Sequence, residues 1–80
     1  MAAIRKAKVV WTGDLAKGSG TVTAASSGAF DGLAVTWASR VEKPDGRTSP
    51  EELLGAAHAS CFCMALSHAL GCAGTPPQLL

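Results

Sequence analysis

The segment SPEELLGAAHASCFCMALSHAL, residues 49–70, decides the fold of this 80-residue chain. Ser49 is a residue type that caps helices, and Pro50 suits the first helical position because no N–H is needed there. Glu52 follows Ser49 at the three-residue spacing of a capping box. Together these signals predict a helix over residues 50–70, about 30 Å long.

The predicted helix is apolar on nearly every side after its first turn. A helix of this composition is buried all round in a folded protein. We expect it to end at Gly71 or Gly74, because Pro76 and Pro77 follow and prevent further helix. Three short strands can cover only one side of it, so we predict that a second subunit or further chain covers the rest.

Three segments that favour extended structure precede the helix, over residues 5–11, 18–24 and 33–41. The third segment alternates, and one of its faces contains Leu33, Val35, Trp37, Ser39 and Val41. Such alternation is typical of a half-buried antiparallel strand. The sequence therefore predicts an α+β fold with a three-stranded antiparallel β-meander followed by a long, buried central helix. We expect residues 1–80 to be the N-terminal part of a single domain.

Composition argues against several classes of function. Seven basic and six acidic residues leave a net charge of +1, which provides no basic surface for nucleic acid. Polar residues at 58, 60, 67 and 68 interrupt the apolar helix, so we expect no membrane span. Three cysteines, an odd number, favour free thiols in a reducing compartment, and we expect a cytoplasmic protein.

Cys61 is the first candidate for chemistry. An inert core thiol is the plain interpretation of a cysteine in an apolar helix, whereas a nucleophilic thiol requires a nearby cation. Arg40, on the less apolar face of the third predicted strand, is the candidate cation; its alternative role is that of a solvated arginine. Glu51 either binds that guanidinium or simply stabilises the helix N-terminus by its negative charge. Glu51 and Cys61 are about 15 Å apart along the helix, so a shared arginine must bridge that gap or involve a second subunit.

The remaining thiols and the histidines are candidate disulfide partners and metal ligands. Cys63 faces away from Cys61, and Cys72 lies about 16 Å from it along the helix, so neither forms a disulfide with Cys61 while the helix is intact. His58 with Cys61, and His68 with Cys72, have spacings at which each pair supplies two metal ligands, and two chains supply four. No established metal motif is present, and we expect no metal.

The chain resembles the OsmC/Ohr family, and the OsmC branch more closely. Three segments carry the resemblance: VWTGD at residues 10–14, KGSGTV at residues 17–22, and SPEELLGAAHASCF at residues 49–62, followed by MAL at residues 64–66. The helical segment is the most specific of the three. The resemblance covers essentially the whole chain but only the first half of the family's domain.

This resemblance implies a thiol peroxidase that reduces organic hydroperoxides to alcohols in oxidative or osmotic stress defence. Family members are intertwined homodimers with the active site at the subunit interface. Cys61 matches the peroxidatic cysteine, Arg40 the catalytic arginine at the end of the third strand, and Glu51 the glutamate that pairs with it. The family uses no bound cofactor or metal, and a lipoyl-type dithiol is the reductant. Its resolving cysteine lies in the C-terminal half, beyond Leu80.

Apolar residues near Cys61 suggest the substrate. We expect Leu54, Phe62 and Met64 to form a pocket that favours alkyl or lipid hydroperoxides over hydrogen peroxide. The competing hypotheses are a fragment without turnover that acts as a dimerisation or redox-sensing module, and a structural metal domain that uses Cys61, Cys72 and the histidines.

Overall fold

The computed structural model describes residues 3–80. Its elements, in chain order, are β1 Lys8–Thr12, β2 Ser19–Thr23, β3 Leu33–Val35, α1 Trp37–Val41 and α2 Pro50–Cys72. The predicted α+β arrangement is confirmed, with a three-stranded antiparallel sheet followed by a long helix. The chain divides into two compact units, one ending at Pro50 and the other beginning at Glu51. Whether residues 1–80 belong to a single domain stays a prediction.

The sheet has the strand order β1-β2-β3, and both pairs are antiparallel. Directly paired residues share a face of a sheet, so one face is formed by two rows across the three strands. The first row is Val9, Val22 and Leu33, and the second is Trp11, Gly20 and Val35. Val22 and Val35 are the buried apolar residues of the described chain. The small core therefore lies on this face of the sheet.

Gly20 is required by the ring of Trp11. A Cβ atom at Gly20 would lie 2.8 Å from Cε3 of Trp11 and 3.0 Å from Cγ1 of Val35. The indole N–H of Trp11 donates to the carbonyl oxygens of Gly13, at 3.1 Å, and Asp14, at 3.2 Å. One side chain therefore covers the glycine in β2 and also holds the turn that connects β1 to β2.

The predicted strand over residues 33–41 is wrong beyond Val35, because Trp37–Val41 forms the short helix α1. A capping box starts this helix: the hydroxyl of Thr36 accepts from the Ser39 N–H at 3.0 Å, and the Ser39 hydroxyl accepts from the Thr36 N–H at 3.0 Å. These two bonds satisfy backbone donors that a helix start otherwise leaves unpaired. The alternating pattern of residues 33–41 corresponds to a strand only over Leu33–Val35.

The start and the end of α2 agree closely with the prediction. The helix begins at Pro50 and ends at Cys72, slightly beyond the expected residue 70. Gly74 adopts a positive φ of 81°, and its N–H donates to the Gly71 carbonyl at 3.0 Å. The N–H of Thr75 donates to the Leu70 carbonyl at 2.9 Å. This pair of bonds is a Schellman motif, in which glycine supplies the left-handed conformation that ends the helix.

The residues of α2 are exposed or half-buried in the structure, in contrast to the burial predicted for this helix. None of its residues is buried, and the large side chains Leu54, Phe62 and Met64 are 72%, 62% and 72% exposed. Among the described residues, α2 is the helix with the length and apolar composition to cross a membrane, although we predicted no span. Core helices of soluble proteins satisfy the same criterion. The homodimer that would cover α2 stays a prediction.

Candidate active site

Cys61 lies in the middle of α2 as a free, exposed thiol. Helix geometry places His58 one turn before it and Met64 one turn after it on the neighbouring surface. Ser60 donates its hydroxyl proton to the Ala56 carbonyl at 2.8 Å, so this polar side chain forms its hydrogen bond within its own helix. A thiol at this position is accessible to a dissolved oxidant, which an enclosed core thiol would not be.

The three residues predicted to form the substrate pocket lie on α2 around Cys61. At about 100° per residue, Leu54 and Met64 project within about 60° of the direction of Cys61, whereas Phe62 is turned by about 100°. All three are exposed in this chain. They supply an apolar surface beside the thiol, and a closed pocket would need a second surface opposite them. Their role in substrate binding stays a prediction.

Arg40 lies in α1 and not at the end of a strand. Its guanidinium carbon is 5.6 Å from the centre of the Trp37 ring, within the range of a cation–π interaction. Arg40 is also in the last turn of α1, where a positive charge is favourable. The contact with the Trp37 ring and the position in α1 restrict where the guanidinium can lie. Its positive charge is permanent.

Ser39, the residue before Arg40, was not among the predicted site residues. It is buried, and its hydroxyl lies 2.8 Å from the Thr48 carbonyl oxygen and 2.9 Å from that of Thr36. The Thr48 N–H in turn donates to the Ala34 carbonyl at 3.0 Å, next to the end of β3. Ser39 therefore connects α1 to the segment that precedes α2. The spacing of Thr36 and Ser39 was the sequence signal that could have revealed this helix.

Glu51 lies with Glu52 in the first turn of α2, where negative charge stabilises the helix N-terminus. Because α2 is continuous, Glu51 and Cys61 remain about 15 Å apart along its axis. Arg40 belongs to the first unit of the chain, whereas Glu51 and Cys61 belong to the second. The structure therefore brings two of the three residues onto one helix, and their action as a single site stays a prediction.

The other two thiols lie on the same helix and are also free. Cys72 Sγ is 3.7 Å from Nε2 of His68. An open cleft of about 540 Å³ lies where the residues after α2 face the helix, and it is lined by Cys63, Met64, Ser67, His68, Pro77, Gln78, Leu79 and Leu80. Within residues 3–80 there is no group of three or more His, Cys, Asp or Glu side chains placed to hold a metal ion.

Two known proteins share much of this sequence. The chain is 47% identical over 73 residues to the protein named Peroxiredoxin OsmC of Escherichia coli (strain K12). The protein of the same name from Shigella flexneri matches with the same identity and length. The resemblance to the OsmC family is confirmed. The match covers 91% of this chain and 50% of each relative, so the chain spans about half the length of these OsmC proteins. No family model matches the chain.

Proposed function

We propose that this chain carries the peroxidatic half of a cysteine-based peroxidase that reduces organic hydroperoxides to alcohols. The observation that supports the proposal is the 47% identity, over nine-tenths of the chain, to proteins named peroxiredoxins. An accessible thiol in the middle of the longest helix is consistent with it. We further propose that the protein acts in the cytoplasm, in defence against oxidative or osmotic stress.

Cys61 is the proposed nucleophile. Its thiolate attacks the distal oxygen of the hydroperoxide, an S–O bond forms, and the O–O bond breaks. The departing alkoxide takes up a proton and leaves as the alcohol, while Cys61 becomes a sulfenic acid. A second thiol then condenses with the sulfenic acid, which releases water and leaves a disulfide. A lipoyl-type dithiol reduces that disulfide and restores the starting thiol.

Arg40 and Glu51 are proposed to prepare this step. A guanidinium beside Cys61 stabilises the thiolate and polarises the peroxide, and a carboxylate that binds the guanidinium in a bidentate pair fixes its orientation. The separation of about 15 Å between Glu51 and Cys61 exceeds what one helix can close. We therefore propose that the complete site forms at the interface of a homodimer.

The exposed apolar surface of α2 supports the proposed homodimer. Soluble proteins seldom leave a long apolar helix uncovered, because its contact with water costs free energy in proportion to apolar area. Leu54, Phe62 and Met64 are exposed on the same helix as Cys61. Covering them with a second subunit would create an apolar enclosure at the thiol. Such an enclosure favours alkyl hydroperoxides over hydrogen peroxide.

The experiment that tests the proposal follows oxidation of each thiol separately. The chain is treated with one equivalent of cumene hydroperoxide and a sulfenate trap, and trapped adducts are located by intact mass and peptide mapping. We expect fast oxidation at Cys61, with Cys63 and Cys72 serving as internal controls. Arg40→Ala should slow it, whereas Arg47→Ala should not. Arg47 is the matched control because it is an arginine paired with Asp45 at the surface, at 3.3 Å.

Two results would contradict the proposal. Slow oxidation spread evenly over the three cysteines would mean ordinary thiols. Equal rates in the two arginine variants would remove Arg40 from the mechanism. Substrate preference is measured separately by competition between cumene hydroperoxide and hydrogen peroxide, and comparable rates would refute the proposed apolar pocket.

A second candidate function follows from the length of the match. Because the chain spans about half the length of its relatives, the second candidate is a dimerisation or redox-sensing module that is oxidised once and does not turn over. The two candidates differ when dihydrolipoamide is supplied in excess. A peroxidase consumes many equivalents of hydroperoxide per chain, whereas a module consumes only as many as it has reactive thiols.

A further inference from the structure

Trp37 and Arg40 lie three residues apart in α1, a spacing that makes two side chains neighbours on one face of a helix. The guanidinium carbon of Arg40 lies over the Trp37 ring, 5.6 Å from its centre. Trp37 is half-buried, whereas Arg40 is exposed. The surrounding fold therefore holds part of the ring, and the guanidinium lies at the surface.

The short helix that carries this pair is anchored at its start. Thr36 and Ser39 cap each other, and the buried hydroxyl of Ser39 also lies 2.8 Å from the Thr48 carbonyl oxygen. These interactions hold the backbone of α1 in one conformation. The freedom that is left to the guanidinium is then mainly the rotation of its own long side chain.

The indole ring restricts that rotation. A flexible arginine loses conformational entropy when it must act at one point. A cation over the face of an aromatic ring is attracted by the ring quadrupole, and tryptophan is the best of the aromatic residues in this role. Contact with the ring consumes none of the five N–H donors of a guanidinium, whose fork geometry suits a carboxylate or another oxygen acceptor.

We propose that Trp37 is a positioning residue that holds the guanidinium of Arg40 ready to act on Cys61 and the hydroperoxide. This inference rests on the proposed function, in which Arg40 stabilises the Cys61 thiolate. Trp37 forms no bond in the reaction and transfers no proton. Loss of its ring should therefore slow the oxidation of Cys61 without changing the products, and it should have no effect once Arg40 is absent.

The test is a double-mutant cycle in the full, reduced chain. The rate of Cys61 oxidation by cumene hydroperoxide is measured by sulfenate trapping and peptide mapping in Trp37→Leu, in Arg40→Ala and in the double variant. We expect Trp37→Leu to slow oxidation about two- to fivefold, the range of a cation–π contact at an exposed site. In the Arg40→Ala background the same change should have no further effect. A merely structural role of the ring would slow oxidation equally in both backgrounds.

Conservative replacement and a second tryptophan provide the controls. Trp37→Phe keeps a weaker aromatic face, so its rate should lie between those of Trp37→Leu and the unaltered chain. It also completes the cycle if Trp37→Leu does not fold. Trp11→Phe is the matched control, because Trp11 belongs to the same unit and its indole N–H donates to the carbonyls of Gly13 and Asp14. Circular dichroism verifies that every variant compared is folded.

The outcomes separate this inference from the proposed function. An unchanged rate in Arg40→Ala would refute the role of that arginine and the positioning role of Trp37 together. A slow Arg40→Ala variant beside an unchanged or faster Trp37→Leu variant would overturn the positioning role alone. Equal losses from Trp37→Leu with and without Arg40 would also overturn it, as would a similar loss in Trp11→Phe.

Discussion

Replacing Ser39 with alanine should destabilise the first unit of the chain more than any other exchange of a serine for alanine. Ser39 is buried, and its hydroxyl lies 2.8 Å from the Thr48 carbonyl and accepts from the Thr36 N–H at 3.0 Å. Alanine removes both interactions and leaves those backbone groups without this partner. At about 0.5–1.5 kcal/mol for each net hydrogen bond, the expected cost is about 1–3 kcal/mol.

Urea unfolding measures this cost. The chain contains two tryptophans, Trp11 and Trp37, and both belong to the unit that holds Ser39. Their fluorescence therefore reports on that unit, while circular dichroism at helical wavelengths is dominated by α2. With a urea dependence of about 1 kcal/mol/M, typical of a small unit, the midpoint seen by fluorescence should fall by about 1 M or more.

Ser60→Ala is the matched control. Ser60 is exposed in the interior of α2 and bonds to a carbonyl of its own helix, Ala56, at 2.8 Å. Alanine has the higher helix propensity, so this variant should be neutral or more stable by up to about 0.5 kcal/mol. Equal midpoints for Ser39→Ala and Ser60→Ala would refute the view that the buried hydroxyl holds α1 in place.

Glycine exchanges provide two further predictions, each measured by urea unfolding. Gly20→Ala should lower the free energy of unfolding by about 1–3 kcal/mol, because the new Cβ would lie 2.8 Å from the Trp11 ring. Gly55→Ala, with no atom within 4 Å of its Cβ, should stabilise α2 by about 0.8–1 kcal/mol. Similar effects of the two variants would contradict the close packing over Gly20. Gly74→Ala should lower the free energy of unfolding by about 1 kcal/mol, because φ at this position is +81°. Gly71→Ala lies inside α2 and should stabilise the helix. A Gly74 variant with unchanged stability would argue against the Schellman motif.

The long helix was predictable because its signals are local. Ser49, Pro50 and Glu52 mark its start within four residues, and the glycine and proline residues after 70 mark its end. The positions of Glu51 and Cys61 on one helix follow directly from that prediction. The helix pattern does not predict which surface covers the apolar side chains, because it describes only the helix itself.

The third strand shows why alternation alone was misleading. A period of two over residues 33–41 satisfies a strand, but α1 forms because Thr36 and Ser39 cap each other and because Ser39 reaches the Thr48 carbonyl. The second interaction joins residues nine apart in sequence, which no local pattern reveals. The environment of Arg40 was missed for the same reason, since its contact with Trp37 exists only in a helical turn.

The position of β1 in the sheet has a consequence for handling the protein. In the described sheet β1 pairs with β2 alone, and all five of its residues are exposed, among them Val9, Val10 and Trp11. The outer row of backbone N–H and C=O groups on such a strand is a template for an additional strand. Two copies at high concentration can therefore pair through their β1 edges. Refolding by rapid dilution keeps the copies apart and favours the three-stranded sheet over polymers.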